Sequence, residues 1–351
     1  MSRARAEGLC APSSRSATRR PSDVRTFAFF LAVLLALLGY AYWYHFALPG
    51  RPFAGTLPAL SAEEAAIAQR LKQHITTIAS TPHNTKHPAN LEAAARYIEE
   101  TLSALGYPIE AQEFDARGVK VRNIAVSIEP AGPSDGIETI VVGAHYDSYN
   151  DAPGANDNGS GVAAVLELAR LLKDLKPART RIRLVLFVNE ELPHFGTETW
   201  GARRFARRLV ERKERVRAML SIETIGYFSD TAGSQRYPFP LSPFFPKTGN
   251  FIAFVGTLGA RPLVHEAVAS FRRHTSFPTV GGVAARFVEG ITWSDHKAFS
   301  DTGFPAIMIT DTALFRYPHY HRPSDTPDKL AYDRIARITK GLERVVRDMA
   351  R

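Results

Sequence analysis

Residues 138–145 read ETIVVGAH, and residues 181–189 read RIRLVLFVN. Both runs are rich in aliphatic residues, and such runs are typical of strands that are buried on both faces of a sheet. Between them, residues 159–175 carry the amphipathic pattern of a helix. A strand, a helix and a second strand in this order predict two parallel strands of an α/β sheet.

The same alternation continues along the chain. Further strands are predicted at residues 109–114, 119–128, 218–224, 251–256 and 305–310, and helices at 61–79, 90–105, 200–216, 262–274 and 332–349. Ser61 with Glu64 fits a capping box at the start of the first helix, and Asn90 is the predicted N-cap of the second. We therefore predict an α/β fold with a mixed, mainly parallel central sheet and helices on both faces.

An apolar segment precedes this domain. Residues 27–48 read FAFFLAVLLALLGYAYWYHFAL, and a helix of this length can cross a bilayer core of about 30 Å. The aromatic cluster YWY at residues 42–44 is typical of the membrane interface. A cleaved signal peptide usually has a shorter apolar run, of roughly 7–15 residues, followed by small residues. We therefore predict one uncleaved transmembrane helix that anchors the chain in a membrane.

Charge predicts the orientation of this anchor. Residues 1–26 contain six Arg and two acidic residues, a basic tail with a net charge of +4. Positive flanks stay in the cytoplasm, so we expect the rest of the chain on the periplasmic side. Residues 49–60 are rich in Pro and Gly and read as a linker, which leaves residues 61–351 as the main domain.

Composition excludes several classes of protein. Apolar residues make up 45% and charged residues 23% of the chain, as in ordinary globular proteins. The formal charge is +9, but no basic-aromatic motif accompanies it, so we predict no nucleic-acid partner. The chain has one cysteine, Cys10, which excludes an intrachain disulfide and a cysteine-based metal site. Any metal must be held by His, Asp and Glu.

Polar side chains lie where the first predicted strands end. His145 and Asp147 form a His-x-Asp pair, in which the carboxylate can fix the orientation of a metal-binding imidazole. Asp157 comes just before a helix, where it can be a plain N-cap or a carboxylate that bridges two metals. Glu190 and Glu191 follow a buried strand, and burying unpaired acids is costly. One can bind metal while the other acts as general base.

Similar clusters follow later strands. Glu223 lies near the end of the strand at 218–224, and the stretch SDH occupies residues 294–296. His319 and His321 precede Asp325 near the C-terminus. Each cluster taken singly also has a plain structural interpretation.

Together, and in this order, the clusters resemble the co-catalytic zinc aminopeptidase family, which also includes glutamate carboxypeptidases and glutaminyl cyclases. The resemblance covers about residues 61–350, with its motifs between Gly143 and Asp328. It implies a zinc-dependent exopeptidase, an aminopeptidase that hydrolyses peptides with a free N-terminus by means of a water activated by two Zn²⁺ ions. It also makes residues 61–351 the catalytic domain.

The resemblance assigns five metal ligands. It places His145 and Glu223 on one zinc ion, Glu191 and His321 on the other, and Asp157 between them as the bridge.

The resemblance also assigns the catalytic groups. It makes Glu190 the general base and keeps Asp147 as the second catalytic candidate. His321 is preferred to His319 as the last ligand because His321 precedes Asp325 by the family's four positions.

Some features depart from the family or stay open. Glu223 stands where the family usually has Asp, so the metal can shift there. Asp295 and His296 match the family's SDH stretch, with a role in the site and a structural role left open.

Two other functions compete with the aminopeptidase. One is a glutaminyl cyclase-like acyltransferase with a single zinc, which the DNGSG stretch at 157–161 disfavours, and the other is an inactive binding module.

Overall fold

The computed structural model describes residues 21–132, 135–239 and 241–351, so most of the predicted basic tail lies outside the described residues. The chain divides into two compact units, Met1–Tyr44 and His45–Arg351. Helix α1 (Pro21–Phe46) fills the described part of the first unit, and only its last two residues belong to the second. Its stretch Arg25–Phe46 has a mean hydropathy of 1.9 and is long and apolar enough to cross a membrane.

The described residues of the second unit form an eight-stranded sheet in the order β1-β2-β4-β3-β5-β8-β6-β7. The strands are β1 (Glu110–Ala116), β2 (Val119–Ile128), β3 (Glu138–His145), β4 (Thr180–Phe187), β5 (Val216–Glu223), β6 (Ile252–Thr257), β7 (Thr279–Ala284) and β8 (Ala306–Thr310). The central strands β4, β3, β5 and β8 run parallel, whereas β2 joins β4, and β6 joins β8, in antiparallel pairs. This is the mixed, mainly parallel sheet that the sequence predicts.

Helices cover both faces of the sheet, because the central strands carry apolar side chains on both sides. They are α2 (Ala62–Ile78), α3 (Pro88–Ala104), α4 (Gly161–Leu171), α5 (Gly201–Glu211), α6 (Arg261–His274), α7 (His296–Asp301) and α8 (Tyr332–Met349). Helices α2, α4 and α6 pack around α8. Helices α5 and α7 form a separate apolar core with Val141, Val185 and Met219 of the strands.

Several predicted boundaries need correction. Helix α3 begins at Pro88, because proline needs no hydrogen-bond acceptor in a first turn, and Asn90 lies inside the helix and is not its N-cap. Helix α5 ends at Glu211 rather than at 216, since the chain turns at Lys213 with a φ of 55° and β5 begins at Val216. The sequence prediction missed β7, whose residues TVGGVA include two glycines, and the short helix α7. The capping box of Ser61 and Glu64 is confirmed.

Candidate metal centre

The ends of three parallel strands bring the predicted side chains together. His145 is the last residue of β3, Glu223 is the last residue of β5, and Glu190 and Glu191 follow the end of β4. The carboxyl ends of parallel neighbours meet at one edge of a sheet, which is where ligands bind in open α/β folds. The fold thus makes one cluster from residues that lie 78 positions apart.

The five residues predicted as metal ligands form two groups that share Asp157. In the first group, Nε2 of His145 lies 3.3 Å from Oδ1 of Asp157 and 3.3 Å from Oε2 of Glu223. In the second group, Nε2 of His321 lies 3.0 Å from Oδ2 of Asp157 and 3.2 Å from Oε1 of Glu191. Asp157 therefore turns one carboxylate oxygen toward each group.

The electrostatics of this cluster fit a divalent cation. Within the described part of the chain, the buried atoms Oδ2 of Asp157 and Oε1 of Glu191 accept no hydrogen bond of good geometry, although Nε2 of His321 lies close to both. Burial raises the pKa of Glu191 to about 8, and the Asp157 carboxylate adds to this shift. The two groups bring three carboxylates together with only two imidazoles. Burying carboxylates in excess of their positive partners is costly, and a bound cation would offset that cost. Imidazole and carboxylate donors are ligands that Zn²⁺ accepts.

Asp147 orients the first group through its main chain and the paired glutamates through its side chain. Nδ1 of His145 lies 3.0 Å from the main-chain oxygen of Asp147 and 3.6 Å from its carboxylate. The Asp147 carboxylate instead accepts hydrogen bonds from the backbone N–H groups of Glu190, at 3.0 Å, and Glu191, at 3.1 Å. The carboxylate thus fixes the loop that carries both glutamates, while Nε2 of His145 faces Asp157 and Glu223.

Asp325 holds the loop that carries Asp157. Its carboxylate accepts hydrogen bonds from the backbone N–H groups of Asn156 and Asp157, at 2.9 and 3.1 Å, and from the Tyr317 hydroxyl at 2.7 Å. The residue is fully buried. In the sequence, Asp325 serves only to place His321, because nothing in the local pattern shows that its side chain reaches the loop of Asp157.

Replacing Asp325 by Ala is expected to destabilise both the fold and the metal centre. Three buried donors would lose their acceptor, and each unsatisfied buried group costs about 1–3 kcal/mol. Partners that orient metal ligands typically contribute roughly 10–100-fold in metal affinity. Urea unfolding and zinc titration measure both effects. The exposed Asp328 supplies the control, and equal losses in Asp328→Ala would contradict this role for Asp325.

Hydrogen bonds hold the Glu223 side chain and the main chain on either side of it. The Ser294 hydroxyl donates a hydrogen bond of 2.8 Å to Oε2 of Glu223. Asn158 donates to the main-chain oxygen of Ile222 at 2.8 Å and accepts from the N–H of Thr224 at 3.1 Å. These contacts fix the end of β5, and Oε2 of Glu223 lies 3.3 Å from Nε2 of His145.

His321 has a restrained position. Its ring lies between those of Tyr149 and Tyr320, with centroid distances of 3.9 and 3.8 Å, and its backbone φ is 57°. Burial lowers the pKa of His321, but the carboxylates of Asp157 and Glu191 outweigh it and raise that pKa to about 10. This shift shows how negative the surroundings of the ring are. The sequence gives no signal for the two stacked tyrosines.

His319 lies apart from the cluster. It forms a hydrogen bond of 2.9 Å with the Ser324 hydroxyl, and among the described residues it belongs to neither metal group.

Glu190 and the SDH stretch at residues 294–296 are the remaining residues that the sequence singles out for this site. The Glu190 side chain is buried, and among the described residues it belongs to neither metal group. Burial raises the pKa of Glu190 well above its usual range. Asp295 accepts a 3.0 Å hydrogen bond from the Trp200 indole, and burial raises its pKa to about 7. His296 is fully buried and bonds to the main-chain oxygen of Ile291 at 2.7 Å, which is a structural contact.

Two groups of His and carboxylate side chains at the carboxyl edge of a mainly parallel sheet form the type of site expected of an α/β metallopeptidase. Residues 123–346 match the model of Peptidase family M28, and the chain belongs to this family. The family uses zinc, which agrees with the donor atoms in the cluster.

The chain is similar to curated proteins over most of its length. It is 35% identical to the uncharacterized protein YfbL of Escherichia coli K12, over 83% of this chain and 91% of that protein. It is 27% identical to a probable leucine aminopeptidase 1 of Trichophyton verrucosum, over 84% of this chain and 77% of that protein.

Solved structures share the fold. The LapA aminopeptidase of Legionella pneumophila matches 85% of this chain and 77% of its own, with a TM-score of 0.64 and 19% identity. A glutaminyl cyclase of Fimbriiglobus ruber matches 86% of this chain and 99% of its own, with a TM-score of 0.58 and 22% identity. At these identities the likeness concerns the fold alone, and the fold does not distinguish the two activities.

Proposed function

We propose that the protein is a two-zinc aminopeptidase. The observation that carries this proposal is the position of Asp157, whose two oxygens lie 3.3 and 3.0 Å from the imidazoles of His145 and His321. A single-zinc cyclase requires only one such group, whereas a shared carboxylate fits two ions. The curated relative named as a probable leucine aminopeptidase supports the same activity.

In this proposal, one zinc ion would be held by His145, Asp157 and Glu223, and the other by Asp157, Glu191 and His321. When bound, zinc ions polarise the scissile carbonyl and lower the pKa of water. Their ligands come from three strand ends and two loops, so the fold itself determines the separation of the two groups.

Glu190 acts as the general base in the proposed reaction. Its carboxylate takes a proton from the attacking water, which then adds to the scissile carbonyl carbon. Glu190 returns that proton to the nitrogen of the leaving amine as the peptide bond breaks. Asp147 is a positioning residue, because its carboxylate fixes the backbone N–H groups of Glu190 and Glu191. The surrounding carboxylates favour a substrate with a free, positively charged α-amino group.

Zinc titration with a panel of substrates tests this function. We expect the full-length protein, solubilised in detergent, to bind two zinc ions and to release chromophore from aminoacyl anilides. Activity should require a free amino group, so the N-acetylated anilide of the same amino acid is the control. One bound zinc with cyclisation of N-terminal glutamine would identify a glutaminyl cyclase. Zinc binding without any turnover would indicate a binding module.

We also propose that the helix Arg25–Phe46 anchors the protein in a membrane, with the catalytic domain on the periplasmic side. The apolar length of the helix and the arginine-rich tail before it support this topology. Protease added to intact spheroplasts is expected to digest the catalytic domain, while a cytoplasmic marker protein stays whole. Full protection of the domain until the spheroplasts are lysed would contradict the orientation, and a mature protein without residues 1–48 would indicate a signal peptide.

A further inference from the structure

An apolar pocket of about 110 Å³ adjoins the metal-ligand cluster. At one end its wall includes Glu223 and Tyr320, and elsewhere it is formed mainly by apolar side chains. We call it the apolar pocket and define it by Phe46, Phe245, Phe251, Val255, Trp293 and Met308. A pocket of this kind beside a reaction centre is expected to bind an apolar group of the substrate.

The pairing of the strands explains why the pocket begins at the cluster. Glu223 pairs with Thr310, Thr310 pairs with Ala253, and Ala253 pairs with Val280. All four residues line the pocket. Neighbouring strands lie about 4.8 Å apart, so this row extends roughly 14 Å across the sheet from Glu223. The small side chain of Ala253 leaves open space above the row.

Phe46, the last residue of α1, forms part of the pocket wall. Its ring stacks on Phe244 at a centroid distance of 5.1 Å and meets the edge of Phe245 at 5.2 Å. The preceding His45 holds the segment against β7, because its Nδ1 lies 2.7 Å from the main-chain oxygen of Val283. These contacts lie within the second compact unit.

Gly282 allows this close approach. A Cβ atom at position 282 would lie 2.4 Å from the main-chain oxygen of His45 and 3.3 Å from the Phe46 ring. Any larger residue must therefore displace residues 45 and 46. This fit places residues 45 and 46 against β7 within the second unit.

We propose that Phe46 is a specificity-determining residue, so that the end of the apolar helix forms part of the substrate pocket. This inference rests on the proposed aminopeptidase function, and it assigns the pocket to the apolar side chain of the N-terminal residue. A cavity of roughly 150 Å³ can hold benzene. The smaller volume of about 110 Å³ fits a side chain of the size of leucine or methionine.

The test compares full-length, zinc-loaded variants in detergent. One methylene in an apolar pocket changes kcat/KM by roughly 10–200-fold, so the wild type should prefer the leucyl to the alanyl anilide by at least this factor. Phe46→Ala should lower that preference by roughly tenfold and should raise the phenylalanyl-to-leucyl ratio, because it widens the pocket. Phe46→Leu, which keeps an apolar wall, should retain most of the leucyl preference. A general loss of structure would lower the rates with all three substrates and would leave the ratios between them unchanged.

Matched variants test the placement of the segment. Gly282→Ala should shift the ratios in the same direction as Phe46→Ala, because it displaces residues 45 and 46. Gly259→Ala is the control, since a Cβ atom there meets nothing within 4 Å. Tyr42→Ala changes the apolar helix before the second unit begins and should leave the ratios unchanged.

Binding provides a readout that is independent of turnover. Leucine hydroxamate and glycine hydroxamate are titrated against each variant by tryptophan fluorescence, to which Trp293 contributes, and Phe46→Ala should lower the preference for the leucine compound. One outcome is that the wild type cleaves leucyl anilide while Phe46→Ala leaves both the leucyl-to-alanyl rate ratio and the leucine-to-glycine hydroxamate ratio unchanged. In that case the role proposed for Phe46 is wrong and the proposed function stands. If the wild type cleaves no anilide, the function is wrong, and the hydroxamate ratio alone decides whether Phe46 shapes the pocket.

Discussion

Replacing Glu190 by Gln is expected to lower kcat by roughly 10²- to 10⁴-fold, which is the usual contribution of a general base. The amide has nearly the same shape but cannot accept the proton at neutral pH. The backbone N–H of residue 190 still donates to Asp147, so the loop and the fold should persist. Because Glu190 lies outside both metal groups of the described structure, bound zinc and KM should change little.

Glu191→Gln is the matched comparison, because it makes the same chemical change one residue further along the chain. Oε1 of Glu191 lies 3.2 Å from Nε2 of His321 and belongs to the second metal group. This variant should therefore lose zinc affinity as well as rate. The measurements are zinc content by mass spectrometry together with kcat and KM. The two roles would be reversed if Glu190→Gln lost zinc while Glu191→Gln kept it, and wild-type kcat in Glu190→Gln would exclude this residue as the base.

Replacing His321 by Ala is expected to abolish activity and to lower the zinc affinity of the second group by more than about 100-fold. Residues that only orient a metal ligand typically contribute roughly 10–100-fold, and the loss of a ligand should cost more. The imidazole is the single nitrogen donor in that group, beside the carboxylates of Asp157 and Glu191. Its loss would leave two buried carboxylates to hold the ion. Zinc stoichiometry and residual activity measure the effect.

His319→Ala is the control, because His319 bonds to Ser324 and lies outside both metal groups among the described residues. We expect this variant to keep two zinc ions and most of its activity. Similar losses in the two variants, or a larger loss in His319→Ala, would show that the last ligand is wrongly assigned.

Patterns that repeat over short distances gave reliable predictions. Helix α8 (Tyr332–Met349) occupies the range expected from its amphipathic period, and β2 (Val119–Ile128) occupies the range expected from its alternation. These elements are local in origin, since their periods are set by backbone geometry. Strand β7 escaped prediction because its two glycines weaken the signal of a strand, and its place at the edge depends on β6.

The sequence by itself determined the class of fold, the apolar helix, the chemistry of the donors and, through family resemblance, the identity of the candidate ligands. Only the tertiary structure decided how these groups are oriented. It turned the two oxygens of Asp157 toward different imidazoles, made Asp325 the acceptor for the backbone of the Asp157 loop, and placed Phe46 in the wall of the apolar pocket. The physical reason is that such hydrogen bonds and packing contacts join residues that are distant in the chain, as Asp157 and Asp325 are, and leave no periodic signal in the sequence.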